Sequence, residues 1–344
     1  MLAVASSGVA SLLLPRGRTA HSRFKIPFDI TETAVCGVKR GTMLAELIQV
    51  ASLVIWDEAP MTNRRCFEAL DRTMKDILSE HKPDNAMLPF GGKPVVLGGD
   101  FRQILPVVRK GSRAAVVGAS ITNSRLWKHV VLLKLHTNMR LRDPSLQGDQ
   151  RDELQRFSEW ILAVGDGTVH AERRGDEREP SWVTIPDDLL IHTEGDKIAA
   201  LVSEVYPDLL RRYHDPSYLS SRAIVCPNNQ QLMKSIATLS PCCLAMLTGT
   251  NIGETVFIPR TALNTTDVKW PFTLQRRQFP VCVCYAMTIN KSQGQTLSRV
   301  GLYLKKPVFT HGQLYVAISR ATSRSGLRIL IENDDGTCGS QTRT

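Results

Sequence analysis

Four apolar runs punctuate the first 135 residues: LAVAS (2–6), LVIWDE (53–58), KPVVLGGD (93–100) and VVLLKL (130–135). An unbroken apolar run bounded by polar residues predicts a strand buried on both faces of a parallel sheet. The first run turns at Ser7-Gly8 into a short helix. Between the second and third, Arg64 to Leu78 sets Phe67, Leu70, Met74 and Ile77/Leu78 at helical spacing, which predicts one amphipathic helix. Strands alternating with helices predict a doubly wound parallel sheet. After Arg140 the pattern changes. Leu154 to Ala163 reads as helix, and GDGTVHAERRGDEREP (165–180) as a charged surface stretch. A second round then opens with a strand, RAIVCP (222–227), and a helix from Asn229 to Leu239. VCVCYAMT (281–288), RVGLYL (299–304) and LRILIE (327–332) follow as three buried strands with helices between them. Two α/β rounds predict two similar domains with a cleft between. The join LSPCCLAMLTGTNIG (239–253) offers no clean element before ETVFIPR (254–260).

Composition narrows this only a little. The 344 residues are 42% hydrophobic and 22% charged, ordinary for a globular chain of two domains. Lys and Arg number 43 against 33 Asp and Glu, a net charge of +10 that suits a polyanion partner without requiring one. The eight cysteines form no C-x-x-C pair and no His stands at zinc-finger spacing, so they read as reduced thiols. The opening MLAVASSGVASLLLP lacks a basic start, is interrupted by Ser6-Ser7-Gly8 and is too short to span a membrane. It reads as strand and helix, with neither signal peptide nor transmembrane segment.

Chemistry gathers at the strand ends, where open α/β sheets bind ligands. LVIWDE finishes in Asp57 and Glu58, the Walker B arrangement, in which the first acid holds Mg²⁺ through water and the second polarises the attacking water. An acidic helix start is the alternative. A second strand end, Gly98-Gly99-Asp100, is followed by Gln103, placed to sense a γ-phosphate or to sit as a surface glutamine. LHTNMRL (135–141) brings Asn138 and Arg140; QLYVAISRAT (313–322) predicts a helix with Leu314, Ala317 and Ile318 inward, ending at Arg320. Arginines from two α/β rounds suit a triphosphate in the cleft. AMTINKSQGQTL (286–297) joins strand to helix through Thr288, Lys291, Ser292, Gln293 and Gly294, a phosphate-binding type of turn. GRTAHSRFK (17–25) packs Arg18, Arg23 and Lys25 around His21 and Phe24, a mixture for gripping phosphates and stacking on bases. A solvated basic loop is the competing reading.

The order ASSGVASLLLPRGRTAHSRFKIP, LVIWDEAPM, LGGDFRQILPVV, LHTNMRL, QRRQFPVCVCYAMTINKSQGQTLSRVGLYL and HGQLYVAISRATSRSGLRILI closely resembles the petite-integration-frequency (PIF-type) DNA helicases of superfamily one. It is especially similar to the expanded plant forms related to rolling-circle transposons, and the similarity runs over most of residues 1–335. The resemblance implies a 5′→3′ ATP-dependent DNA helicase of repair, recombination and telomere maintenance, in the nucleus or the mitochondrion. It implies an α/β fold of two RecA-like parallel-sheet domains, with ATP as substrate, Mg²⁺ as cofactor, and a monomer on single-stranded DNA and junctions, without membrane. By matching motif, Asp57 would bind Mg²⁺ through water, Glu58 would be the catalytic carboxylate, Gln103 the γ-phosphate sensor, and Arg140 and Arg320 the fingers. Ser7, Gly8, Arg18, His21, Arg23, Thr288, Ser292 and Gln293 fall in DNA-contacting or coupling segments, and Gly294 on the nucleotide side of the same turn.

Two departures from the family pattern stand out. No G-x-x-x-x-G-K-[ST] phosphate loop occurs; Gly92-Lys93 is followed by Pro94. The first domain is therefore expected to lack its P-loop strand. The second is expected to lack most of its small barrel-like insertion, ETVFIPR being its closing edge. The expected division is 1–142 for domain 1, 143–240 and 263–335 for the two parts of domain 2, 241–262 for the insertion remnant and 336–344 for a tail. Three readings follow: an incompletely recorded helicase deficient in ATPase as it stands, a non-catalytic single-stranded-DNA-binding remnant of a mobile-element helicase, and an inert product.

Overall fold

The computed structural model describes residues 1–80, 82–109, 111–144, 146–175, 180–212, 215–227, 243–245, 255–257, 261–264, 275–278, 286–333 and 335–343. In the first lobe β1 (Leu2–Ala5) runs into α1 (Gly8–Leu12), whose first turn is capped by the Ser7 hydroxyl accepting from Ala10 N–H. β2 (Arg18–Thr19) leads directly into α2 (Ala20–Phe24). Next come α3 (Met43–Val50), β3 (Val54–Asp57), α4 (Arg64–Leu78), β4 (Val95–Leu97) and α5 (Arg113–Ala119). The sheet order is β2-β1-β3-β4, all parallel, with Ala5 opposite Asp57 and Trp56 opposite Leu97. Those registers bring the carboxyl ends of β1, β3 and β4 to one level.

α4 has the bounds its periodicity predicts. Asn63 caps it, and Phe67, Leu70, Met74 and Ile77 are fully buried. Trp56 on β3 meets Phe67 with ring centroids 4.4 Å apart, and Phe24 of α2 lies 6.3 Å from it. The core of this lobe is thus sandwiched between β3 and α4.

The second lobe starts with α6 (Gly148–Asp166), longer at both ends than its apolar pattern predicts. β5 (Ala171–Glu172) and β6 (Trp182–Thr184) follow, so part of the expected charged surface stretch is strand. α7 (Lys197–Val205), α8 (Leu209–Arg212) and α9 (Pro216–Ser220) precede β7 (Arg222–Cys226). Two antiparallel ribbons, β8 (Cys243–Ala245) with β9 (Thr255–Phe257) and β10 (Thr261–Asn264) with β11 (Gln275–Gln278), come next. β12 (Ala286–Thr288), β13 (Arg299–Leu304), α10 (Gln313–Ile318), β14 (Leu327–Glu332), β15 (Cys338–Gly339) and β16 (Gln341–Arg343) complete the chain. The main sheet is β12-β7-β13-β14-β15, parallel except for β15, and a small antiparallel sheet is ordered β16-β6-β5. The helix expected at Asn229–Leu239 lies outside the described residues, as do most of the 239–253 join and the first five residues of VCVCYAMT.

Three expectations need correction. VVLLKL is not a strand: among the described residues 130–138 have no strand partner, and Val131, Leu133 and Leu135 are 81%, 85% and 100% exposed. Apolar content signals a side chain's preference for burial; a strand also needs a neighbour for its backbone groups, and among the described residues β4 is hydrogen-bonded within its sheet only to β3. Second, β12 leads not into an α-helix but into a single 3₁₀ turn at Ile289–Ser292, after which the chain extends toward β13. Gly294 at φ 79° and the buried Ser292, whose hydroxyl donates to Ile289 C=O at 2.7 Å, stop the helix after one turn. Third, α10 is shorter than predicted and buried on every side. Among the described residues no helix is long and apolar enough to cross a membrane.

Candidate active site

The chain leaves β3 through Asp57 and then bends sharply. Glu58 adopts the left-handed conformation, φ 53° and ψ 38°, before a 3₁₀ turn from Ala59 to Met61. Asp57 Oδ1 accepts from Glu58 N–H at 2.9 Å, which fixes the bend. Gly99 closes over the turn; a Cβ there would stand 2.2 Å from Pro60 Cδ, so only glycine fits. Ser6, at the end of β1, accepts from Trp56 Nε1–H at 3.0 Å and packs its hydroxyl against Thr62 Oγ1 at 2.6 Å. These contacts hold the two acids at the carboxyl end of the sheet.

Glu58 is 8% exposed. Burial pushes its carboxyl up from the ordinary value, Asp57 and Asp100 add to the rise, and the Arg320 guanidinium opposes it. Arg320 follows α10 in the second lobe, is equally buried and donates to Val316 C=O at 2.9 Å, Gln295 C=O at 3.1 Å and Ser319 Oγ at 2.9 Å. Burial lowers its affinity for the proton, Glu58 works the other way, and Arg140 is near enough to add to the lowering. Glu58 and Asp100 of one lobe and Arg320 of the other thus share one electrostatic neighbourhood, with Arg140 beside them. Arg140 itself is exposed on the 3₁₀ turn Met139–Arg142.

The loop after β4 makes the junction. Gln103 Oε1 accepts from Gln293 Nε2 at 3.1 Å, and Asp100 Oδ2 accepts from the Tyr315 hydroxyl of α10 at 2.7 Å. Arg102 Nε donates to Asp166 Oδ1 at 2.6 Å, at the end of α6. Gly312 lies so close that a Cβ would be 2.5 Å from Arg102 C=O. Gly294 crosses to the first lobe as well, where a Cβ would be 3.0 Å from that of Ala10 in α1.

The remaining sequence candidates divide into two groups. Gly8, Arg18, His21 and Arg23 lie on the outer surface around α1 and α2: Gly8 and Arg18 are exposed, and His21 and Arg23 half-buried. Ser7 spends its hydroxyl on capping α1. Thr288 is half-buried at the end of β12, whereas Ser292 and Gln293 are 0% and 1% exposed. Gln293 therefore faces the lobe junction rather than open surface. Sequence reasoning missed the Tyr315–Asp100 and Arg102–Asp166 contacts. Partners 215 and 64 residues apart leave no local signal.

Comparison with known proteins bears on the family and the fold. The sequence profile described as "PIF1-like helicase" matches residues 1–175, just over half of the chain. The human ATP-dependent DNA helicase PIF1 is 27% identical over 371 residues, covering 96% of this chain and 54% of that protein. The Candida albicans protein of the same name is 45% identical over 77 residues, 22% of this chain. The chain spans about half the length of the curated relatives it matches over its whole extent. Among solved structures, one described as the structural basis for DNA unwinding at forked dsDNA by two coordinating Pif1 helicases superimposes with a TM-score of 0.61 at 19% identity, covering 95% of this chain and 81% of that one. The Bacteroides Pif1 helicase in complex with ADP-AlF3 and ssDNA gives 0.56 at 20% identity, covering 95% and 82%. The two parallel sheets are therefore the α/β sheets of the Pif1 helicase fold, and the chain belongs to the PIF1-like helicase family.

Proposed function

We propose that the cleft between the lobes is an ATP site and that the chain carries the motor of a 5′→3′ DNA helicase, with RecA-like domains at 1–142 and at 143–240 with 263–335. The observation that carries this reading is that Glu58, next to Asp57 at the end of β3, stands near enough to Arg320 of the other lobe for their charges to act on each other. Glu58 would accept a hydrogen bond from the attacking water, and its raised proton affinity suits it to take the proton. Arg320 and Arg140 would stabilise charge on the transferring phosphoryl group, and Gln103 would report the γ-phosphate to Gln293. Among the described residues no three His, Cys, Asp or Glu side chains are grouped as a ready metal site, so an ion here would take Asp57 as its one carboxylate. Asp57 would hold Mg²⁺ through water, and the ion would neutralise phosphate charge. Single-stranded DNA and junctions are the partners this reading implies, bound by a monomer. DNA repair, recombination and telomere maintenance, in nucleus or mitochondrion, are the setting, within the expanded plant group of the family.

A second reading has its own support. The 344 residues hold no phosphate loop, and Lys93 cannot replace it: its ammonium donates to Gln49 C=O at 2.9 Å and to Ala51 C=O, at the opposite end of β4 from Asp57. These residues alone are then a DNA-binding unit without ATPase. Phosphate release with Mg²⁺ and single-stranded DNA tests both readings. The 344-residue chain should stay at background. The same chain joined to a strand and G-x-x-x-x-G-K-[ST] loop should gain DNA-stimulated turnover, falling at least ~100-fold with Glu58→Gln. Stimulated turnover by the 344 residues alone, abolished by that substitution, would show the loop to be dispensable. Silence of the joined chain would remove the ATPase reading.

A further inference from the structure

Between α2 and α3 the chain alternates its apolar side chains between core and solvent. Phe24 and Ile26 are 0% and 4% exposed, and Ile30 packs against the same core. Phe28, in their midst, is 92% exposed. Its ring is not isolated: it lies nearly parallel to the His21 imidazole, with centroids 5.7 Å apart and planes inclined by 11°. His21 is held from behind by Cys66 Sγ, 4.0 Å from Nε2, on α4. A fixed imidazole thus backs a phenyl ring whose outer face is open. Arg16, Arg18, Arg23 and Lys25 precede it without an intervening acid; Asp29 follows, and Glu32 is paired with Arg65 at 3.1 Å. Positive charge beside an exposed flat ring is the pairing that binds unpaired nucleic acid, where phosphates meet cations and bases stack on aromatic faces.

We propose that Phe28, backed by His21, is a stacking platform for an unpaired base of single-stranded DNA whose phosphates pass Arg16, Arg18, Arg23 and Lys25. The proposal rests on the DNA-binding reading and adds a base-contacting residue to it. Stacking and phosphate contacts separate experimentally, because only the second releases counterions and depends on salt.

The test is fluorescence anisotropy of the 344-residue chain with a single-stranded 20-mer of deoxythymidine and with its abasic counterpart, from about 50 to 200 mM salt. Phe28→Ala should weaken binding to the thymidine oligomer by roughly 5- to 150-fold at every salt concentration, the equivalent of one stacked base. The slope of log affinity against log salt should not change. Phe28→Trp should restore affinity, and Phe28→Leu, apolar but without a π face, should not. The abasic oligomer should bind wild type and Phe28→Ala alike. Arg18→Ala with Arg23→Ala should instead flatten the slope by roughly 1.4. Wild-type affinity in Phe28→Ala, or an equal loss on the abasic oligomer, overturns the platform and leaves DNA binding standing. Absence of binding by the wild type at the lowest salt overturns both.

Discussion

Glu58 shows most clearly how a single residue is held against its own preferences. A left-handed backbone costs a non-glycine residue roughly 1–2 kcal/mol, and burial opposes the charge. Both disadvantages persist because the Asp57 hydrogen bond and the Gly99–Pro60 contact over-determine the turn. The raised proton affinity has a definite consequence for stability. Between the ordinary value of 4.5 and the higher folded value, the native state binds more protons than the unfolded chain. Stability from this group therefore falls as pH rises through that window, and the loss persists above it. Glu58→Gln removes it. Thermal unfolding without divalent cation should show a higher Tm for the variant at pH 7–8, and the gain should vanish below pH 4.5. An equal or lower Tm at neutral pH would mean that Arg320 holds the carboxylate more strongly than burial opposes it.

At the scale of elements, the weak point of the first lobe is the edge of β4. Val96 is 52% exposed there, and the apolar residues 131–135 lie in solvent without a ladder. An exposed apolar edge of this kind invites pairing with another chain. Amide hydrogen exchange should be near the unprotected rate across 130–136 and faster at Val95–Leu97 than at Val54–Asp57, with β13 and β14 slowest. Uniformly slow exchange from Pro94 to Leu135 in a monomeric sample would show that the edge is covered. The sequence made some elements legible and hid others for physical reasons. α4 could be read because its cap, its period and its two ends are all local. The places of Asp57, Glu58 and Arg320 could be read because each closes an apolar element whose direction the pattern reveals. VVLLKL misled because strand formation depends on a partner that no local pattern records. The turn after Thr288 misled because a buried serine and a left-handed glycine stop a helix that apolar spacing would continue.

At the scale of the molecule, the five residues Asp100 to Ile104 carry several of the contacts that join the lobes. Ile104 leaves the first lobe to sit, 2% exposed, in the core of the second beside Phe157, Ile161 and Leu314. Truncating such a residue costs about 2–5 kcal/mol. The Tyr315–Asp100 hydrogen bond, made to a carboxylate, contributes roughly 1.5–3 kcal/mol. The Arg102–Asp166 pair is 38% and 47% exposed and contributes no more than about 1 kcal/mol despite its 2.6 Å contact. Apolar insertion, not charge, should therefore keep the two sheets unfolding as one unit. In urea, Ile104→Ala should split a single transition into two, Tyr315→Phe should broaden it, and Arg102→Ala should leave it nearly unchanged. Raising salt should also leave the wild-type transition single, since screening acts on the exposed pair alone. If Arg102→Ala separates the transitions as fully as Ile104→Ala, the junction is electrostatic, and its closure would then follow the charge bound in the cleft.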